Sequence, residues 1–263
     1  MKTEPLKNQL SYRDQQALKV IRHDGRGLEF GALDKPIVSK ELFNVKYIDH
    51  LPKNELKKKY RNNGFVNLNN LVEVDFVTNN KPLTSVIKNQ RFDFIIASHV
   101  IEHIQNFIGF INDCFTLLNP GGILSLIIPD KRYSFDIYRR QSTFSDIYSA
   151  YIEKRFQPTV RDICDHYFEV VKVSPKDLWS KSKAPVFSKY HSYQEAVRVA
   201  TQALTESWKI DCHVWIFTYD TFLSLINQCQ FHKLIEFNVK YSCEPILNEM
   251  EFFCSLEKPF NAY

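Results

Sequence analysis

A glutamate and two histidines stand close together in the segment His99-Val-Ile-Glu-His103. On one continuous helix, this H-x-x-E-H spacing would offer the three side chains to zinc, with a further ligand from elsewhere. The run before it, FDFIIAS at 92–98, is apolar and typical of a buried strand. We therefore place His99 at the end of a strand and Glu102 and His103 in the first turn of the next helix. This interpretation predicts no metal site.

Three acidic residues close successive apolar runs that have the character of strands. Glu29 lies at the end of the first run, Asp49 follows it by 20 positions, and Asp75 ends the third run. In a doubly wound sheet, ligands bind beyond the carboxyl ends of the strands. An acid about 20 residues after the first turn commonly accepts hydrogen bonds from a ribose diol. The three acids therefore predict a crevice that binds an adenosine-containing cofactor.

The turn after the first strand distinguishes between two such cofactors. A dinucleotide needs the glycines of G-x-G-x-x-G, so that backbone amides can approach the pyrophosphate. This turn is GALDKP, with a single glycine, and Glu29 would repel a pyrophosphate. S-adenosylmethionine carries an ammonium group instead, which the Glu29 carboxylate would attract. We predict S-adenosylmethionine, and a nicotinamide-dependent oxidoreductase is the less favoured alternative.

Apolar runs alternate with helical spacing along the first half of the chain, which predicts an α/β fold with a Rossmann-like, doubly wound parallel sheet. The predicted strands are 27–31, 45–50, 71–76, 92–98 and 123–129. A helix is predicted over 12–22 and another over 100–119, closed by Pro120-Gly121-Gly122.

The pattern changes after Pro129. Segments with helical spacing and no obvious strand fill 131–212, namely 143–156, 159–173 and 192–208. We predict one domain over 1–263, with 131–212 as a helical lid that excludes water and selects the acceptor. The alternative for this aromatic-rich insert is a homo-oligomer interface. A helix at 219–231, capped by Thr218, and two strands at 234–242 and 249–258 complete the chain.

In their order along the chain, LEFGALDKPI, YIDH, EVDF, FDFIIASHVIEHI and LLNPGGILSLIIPDKRY resemble the motifs of the class I S-adenosylmethionine-dependent methyltransferases, in particular the methyltransferase type 11 branch. The resemblance covers roughly 25–130 and the final helix and strands. It implies a seven-stranded sheet that is mostly parallel with an antiparallel last strand. The turn and the PDKRY segment are similar to those of bacterial proteins in cell-surface polysaccharide pathways.

The resemblance also implies roles for individual residues. The methionine moiety would lie against Glu29, Gly31 and Ala32, and the ribose hydroxyls would bind Asp49. The adenine would lie at Asp75 and Phe76, and the methyl-donor pocket would be lined by Ser98 and His99. Only 13 residues separate Gly31 from Val45, so the helix that normally follows the first strand must be short or absent.

Methyl transfer to a hydroxyl requires a base, and histidine suits proton transfer near neutral pH. His99 is the first candidate and Asp130, just past the fifth strand, is the second. We predict an acceptor that is a small molecule, a sugar or a cell-surface glycan precursor. The segment 129–140, which mixes Arg, Lys and aromatic residues, has the composition of a site for a sugar and an anion, or of a solvated loop. His166, His191 and His213 are interpreted as structural.

The composition narrows the class of protein. The net charge of +4 is spread along the chain, which does not indicate a nucleic-acid partner. The six cysteines form no C-x-x-C pair and lie in apolar surroundings, as in a reducing compartment. The N-terminal segment lacks an apolar signal region, and no apolar run is long enough to span a membrane. We predict a cytoplasmic enzyme, and a non-catalytic methyltransferase-like scaffold is the other alternative.

Overall fold

The fold is built on a single mixed sheet, seen in a computed structural model that describes residues 10–79, 81–180 and 186–260. Seven strands lie in the order β3-β2-β1-β4-β5-β7-β6. Their bounds are β1 Arg26–Phe30, β2 Asn44–Asp49, β3 Phe76–Val77, β4 Phe92–Ser98, β5 Leu118–Pro129, β6 Asn238–Cys243 and β7 Glu251–Glu257. β1 to β5 are parallel to one another, and β7 is antiparallel to both β5 and β6. The predicted fold class is confirmed.

The described helices occur before β1, between the strands and in the insert. They are α1 Tyr12–Ala17, α2 Lys53–Lys59, α3 Leu83–Val86, α4 Phe107–Leu117, α5 Phe144–Ile152, α6 Val160–Glu169, α7 Pro175–Trp179, α8 Tyr193–Glu206 and α9 Tyr219–Phe231. Thr218 caps α9 as predicted, since its hydroxyl accepts a hydrogen bond from the N–H of Thr221. The helix predicted over 12–22 ends earlier, at Ala17.

Both faces of the central strands are buried, as a nearly all-apolar sequence requires. In β4, Ile95 and Ala97 pack into the larger hydrophobic cluster, which also contains side chains of α4 and α9. Phe94 and Ile96 point into a second cluster, which contains side chains of α1 and of the segment after β1. Because side chains alternate along a strand, this division places one cluster on each face of the sheet.

The connection from β1 to β2 contains no helix, although all of its residues, 31–43, are described. This confirms the expectation drawn from its shortness. Gly31 turns the chain with φ +60, and a side chain there would meet Val100 at 3.3 Å. The segment then packs against the sheet through buried apolar side chains such as Ile37 and Val38. A folded loop thus takes the place of the usual first crossover helix.

The third strand differs from its prediction. β3 is only Phe76–Val77, whereas a strand had been expected at 71–76. Asp75 therefore precedes the strand, and the prediction that it ends the third strand was wrong. The Pro120-Gly121-Gly122 segment is also part of β5 and does not cap the preceding helix, which ends at Leu117.

The segment 131–212 is helical in its described part, with α5, α6 and α8 near the expected positions and α7 in addition. It shares the larger core, because Ile147, Ile163 and Val199 belong to the same buried cluster as β4 and β5. Its end returns to the sheet: the N–H groups of Val214 and Trp215 donate to the Glu102 carbonyl at 2.7 and 3.1 Å. No helix in the described part of the chain has the length and apolar character of a membrane span.

Gly27 provides a test of how closely β1 and β4 pack. A methyl group added there would lie 2.1 Å from the ring of Phe94, which is fully buried. We expect Gly27→Ala to lower the free energy of unfolding by about 1–3 kcal/mol or more, because the core cannot repack without strain. Gly64→Ala is the control, since nothing lies within 4 Å of the added atom. Equal urea midpoints for the two variants would contradict the packing described here.

Candidate active site

A cleft opens at the carboxyl ends of β1 and β4, where the strand order reverses direction. Its volume is about 280 Å³. Open α/β sheets bind their ligands at such switch points. The structure brings together five of the predicted site residues in this cleft, Glu29, Gly31, Ala32, Ser98 and His99, together with Arg13 from α1.

Glu29 lies at the floor of the cleft and is only 1% exposed. Its carboxylate oxygens accept hydrogen bonds from the N–H groups of Ile37 and Val38, at 2.7 and 3.1 Å. The helix-free connection after β1 thus folds back over this side chain. Burial raises the pKa of Glu29 to about 7, although the two N–H groups oppose that change.

Arg13 was missed by the sequence reasoning. Its Nε donates to both Glu251 oxygens, at 2.8 and 3.0 Å, and its Nη2 donates to the Ser98 hydroxyl. Glu251 begins β7 and lies more than 200 residues away in sequence, so no local pattern links the two. These bonds fix a guanidinium group beside the Glu29 carboxylate. The cleft therefore contains both a cationic and an anionic side chain.

His99 lies directly after β4, as predicted, and has a left-handed backbone with φ 51. Its Nε2 is 2.6 Å from Oε1 of Glu251, and its Nδ1 is 3.4 Å from Oε1 of Glu102. Burial alone would lower the pKa of His99, but the two carboxylates raise it to about 9. The imidazole is therefore protonated at neutral pH. A protonated ring cannot accept the proton of an acceptor, so the role of general base does not fit His99.

Asp49 ends β2, on the same edge of the sheet, and its side chain is 7% exposed. One oxygen lies 2.6 Å from the N–H of His50 and 2.5 Å from its Nδ1. From His50, contacts continue through Lys59 to Asp211 and then to His103, at 3.1, 3.0 and 2.8 Å. The carboxylate predicted to hold the ribose is thus connected to the insert.

The carboxylate of Asp75 is bonded to residues outside the cleft. Its oxygens contact the ammonium groups of Lys40 and Lys46 at 2.6 and 3.1 Å, and one accepts the N–H of Tyr47 at 2.8 Å. Burial opposes ionisation, but these donors lower the pKa of Asp75 below its usual value. Phe76 is in β3 and packs against the larger core. Because Val77 is the register partner of Asp49, the position level with Asp49 is two residues beyond Asp75.

Asp130 follows β5 as predicted, but it is completely buried. One oxygen accepts from the N–H and Nε of Arg132, both at 2.9 Å. The other accepts from Nη2 of Arg132 at 2.7 Å and from the N–H of Tyr219 at 2.9 Å. With both oxygens occupied in this way, Asp130 holds the start of α9 against β5. It does not fit the predicted role of a second catalytic base.

The basic residues of 129–140 are also bonded within the protein. Arg132 pairs with Asp130, and Arg140 pairs with Asp146 at 2.9 Å. Arg139 is 1% exposed and donates to Asp136, Asp165 and the His213 carbonyl, at 2.9, 3.0 and 2.9 Å. The arginines of this segment thus already have anionic partners within the protein, and the interpretation of a solvated loop is wrong for Arg139.

A cluster of histidines lies where the insert returns to the sheet. His103 and His213 are in edge-to-face contact, with ring centroids 4.7 Å apart, and His166 lies 5.9 Å from His213. Burial, with Arg139 nearby, lowers the pKa of His166 to about 3. Glu102 lies in a short 3-10 turn, Ile101–His103, beside this cluster. Since His99 is outside that turn and bonded to Glu251, the single-helix zinc-hydrolase arrangement is contradicted.

A comparison with protein families shows to which family the chain belongs. A family model described as a methyltransferase domain matches residues 8–167, more than half of the 263 residues. The chain belongs to this methyltransferase family. A search by sequence among curated proteins finds no match.

Solved structures resemble this methyltransferase in fold at low identity. One from Rhodobacter sphaeroides, whose name proposes a Zn-dependent alcohol dehydrogenase, is 12% identical with a TM-score of 0.51, covering 95% of this chain and 91% of that one. An S-adenosylmethionine-dependent methyltransferase from Methanosarcina mazei is 16% identical, with a TM-score of 0.47 and coverage of 92% and 96%. The N-methyltransferase NodS from Bradyrhizobium japonicum is 10% identical, with a TM-score of 0.44 and coverage of 98% and 99%. At 12% identity, the first of these likenesses shows the fold alone.

The methyltransferase uses S-adenosylmethionine as its cofactor and catalyses methyl transfer. The alternatives of a nicotinamide-dependent oxidoreductase and of a non-catalytic scaffold are set aside. The single-glycine turn after β1 and the buried Glu29 agree with a cofactor that has no pyrophosphate.

Proposed function

We propose that this methyltransferase transfers a methyl group from S-adenosylmethionine to a hydroxyl of a small polar acceptor, such as a sugar or a glycan precursor. The observation that carries the proposal is the polar surrounding of His99. His99 is 3.4 Å from Glu102, which lies close to His103 and His213, and these polar groups suit hydroxyl groups better than an apolar ring. An acceptor placed there would be next to the cofactor cleft.

The residues of the cleft fit the cofactor. Glu29 would attract the methionine ammonium, and Arg13 would bind the methionine carboxylate in place of the missing glycines. The pocket is completed by Gly31, Ala32, Ser98 and His99. Asp49 would accept the ribose hydroxyls. We propose that the adenine lies closer to Thr78 than to the predicted Asp75 and Phe76, because the N–H of Thr78 donates to the Asp49 carbonyl at 2.9 Å.

The bound cofactor supplies a methyl group already activated by a positively charged sulfur. The protein therefore contributes mainly by positioning, and aligned reactants gain about 7–11 kcal/mol over free ones. The protonated His99 holds Glu251, which in turn holds Arg13. We assign His99 as a positioning residue. The insert 131–212, as part of one domain, would cover the acceptor because its end contacts Glu102.

Paired acceptors test the proposal. The protein would be incubated with S-adenosylmethionine and with sugars that differ only in a hydroxyl or an amine at one carbon. O-methylated sugar detected by mass spectrometry is the expected result, and transfer only to the amines would contradict it. In calorimetry, S-adenosylhomocysteine is expected to bind and NAD is not.

The pH dependence of cofactor binding tests the role of Glu29. With a pKa raised to about 7, its carboxyl is mostly protonated at pH 6 and mostly ionised at pH 7.5. A ligand ammonium favours the ionised form, so the affinity for S-adenosylhomocysteine should rise roughly tenfold across this range. Glu29→Gln should remove the rise. Methylthioadenosine, which lacks the ammonium, is the ligand control, and an equal rise for both ligands would contradict the assignment.

A further inference from the structure

We propose that Glu102, His103 and His213 form a binding site for a first-row divalent metal ion, next to the cofactor cleft. One ligand atom from each of the three lies within 4.8 Å of the other two. In a tetrahedral site with metal bonds of about 2.0–2.2 Å, neighbouring ligand atoms lie about 3.3–3.6 Å apart. Side-chain movements of up to about 1.5 Å would therefore close the site.

Glu102 is the residue that most needs such a partner. Its side chain is fully buried, and neither carboxylate oxygen has a hydrogen-bond partner among the described residues. The His99 ring approaches Oε1, but Nδ1 stays at 3.4 Å, beyond the usual range for an N–H···O bond. The ion pair with His99 offsets part of the cost of burying this carboxylate without a hydrogen bond, and coordination of a metal ion would offset more of it.

Both histidines have the carboxylate partners that are typical of metal ligands. Nδ1 of His103 is 2.8 Å from Asp211, and Nδ1 of His213 is 2.6 Å from Asp136. Metal-bound histidines usually donate the second ring N–H to a carboxylate, which fixes the tautomer and leaves the other nitrogen for the ion. Here that nitrogen is Nε2 in both rings.

The carboxylates behind the histidines are themselves held by cations. Lys59 contacts Asp211 at 3.0 Å, and Arg139 contacts Asp136 at 2.9 Å. The backbone further fixes the spacing, because the Glu102 carbonyl accepts the N–H groups that follow His213. Glu102 and His103, in the turn after β4, are thus held close to His213, which directly follows the insert, without any ion.

Two imidazoles and one carboxylate suit a borderline ion such as zinc better than magnesium, which prefers oxygen ligands. Three protein ligands also leave a coordination position open. This inference rests on the proposed function where it assigns that position to the acceptor hydroxyl. Coordination would let the hydroxyl release its proton to water. The oxygen then bonds to the methyl carbon as the carbon–sulfur bond breaks, with its electron pair staying on sulfur. No histidine or aspartate base is needed.

Metal binding can be measured without any acceptor. The protein would be treated with a chelator and titrated with zinc and with magnesium by calorimetry. We expect one zinc ion per chain and no magnesium. Glu102→Gln and His213→Ala should each weaken zinc binding by more than about 100-fold, and Asp211→Asn by about 10–100-fold. His191→Ala, which removes a nearby histidine of the insert paired with Glu195, should leave zinc affinity unchanged.

The wild-type chain gives a test that does not depend on how the variants fold. Crystals soaked in zinc should show an anomalous peak between residues 102, 103 and 213, and cobalt should give visible absorption bands. Absence of binding, a peak elsewhere, or unchanged affinity in both ligand variants would overturn the proposal. Hydroxyl methylation by metal-free protein would overturn the catalytic role alone and leave the proposed function standing. Zinc binding without hydroxyl methylation would overturn the proposed function and leave the metal site standing.

Discussion

Replacing Arg13 by alanine is expected to weaken the binding of S-adenosylhomocysteine by about 10- to 100-fold. A hydrogen bond to a charged group contributes about 1.5–3 kcal/mol, and each 1.4 kcal/mol is about tenfold in affinity. The guanidinium is fixed in the cleft by Glu251 and Ser98 before any ligand arrives. Little side-chain entropy is then lost on binding. Calorimetric titration of both proteins measures the effect.

The control for Arg13 is a change of ligand. Methylthioadenosine has the adenosine of the cofactor but no methionine carboxylate, so Arg13→Ala should leave its affinity unchanged. Arg13→Lys keeps the charge and loses the planar fork, and an intermediate loss is expected. If Arg13→Ala weakens both ligands equally, the residue shapes the cleft and does not bind the carboxylate.

Arg139→Ala should lower the free energy of unfolding by about 3–5 kcal/mol, since it removes one partner of a buried ion pair. The Arg139 side chain is 1% exposed, and that of Asp136 is 3% exposed. The substitution would leave Asp136 with His213 as its remaining partner and would remove a donor from the His213 carbonyl. Urea unfolding at neutral pH, with the slope compared between the two proteins, measures the change.

The next residue along the chain provides a matched control. Arg140 also pairs with an aspartate, but its side chain is 58% exposed. Exposed ion pairs contribute about 0–1 kcal/mol, so Arg140→Ala should change the stability little. If the two variants lose similar amounts of the free energy of unfolding, the burial of Arg139 does not determine its contribution to stability.

Sequence patterns predicted the sheet well because its strands are buried on both faces. β4 is a run of apolar residues between charged or polar ones, and its observed bounds agree with the expected 92–98. The sequence misplaced β3 because this strand has only two residues, Phe76 and Val77. The segment before it has a similar composition but is not part of the strand, so composition could not locate β3.

The site was only partly predictable for a related reason. Glu29, Ser98 and His99 follow from strand ends, which are visible in the sequence. Arg13 and Glu251 meet across the whole length of the chain, and only the antiparallel pairing of β7 with β5 brings Glu251 to the cleft. The charge of His99 depends on Glu102, three residues later, and on Glu251, which the sequence does not place beside it. A residue type alone therefore indicated a base where the surroundings produce a cation.

The left-handed backbone at His99 has a consequence for how this protein would evolve. A residue other than glycine in that conformation costs about 1–2 kcal/mol, and such strain concentrates at functional sites. Glycine or asparagine at position 99 would relax the main chain but would discard the imidazole that Glu251 holds. Selection for heat resistance and selection for turnover should therefore favour different residues at position 99.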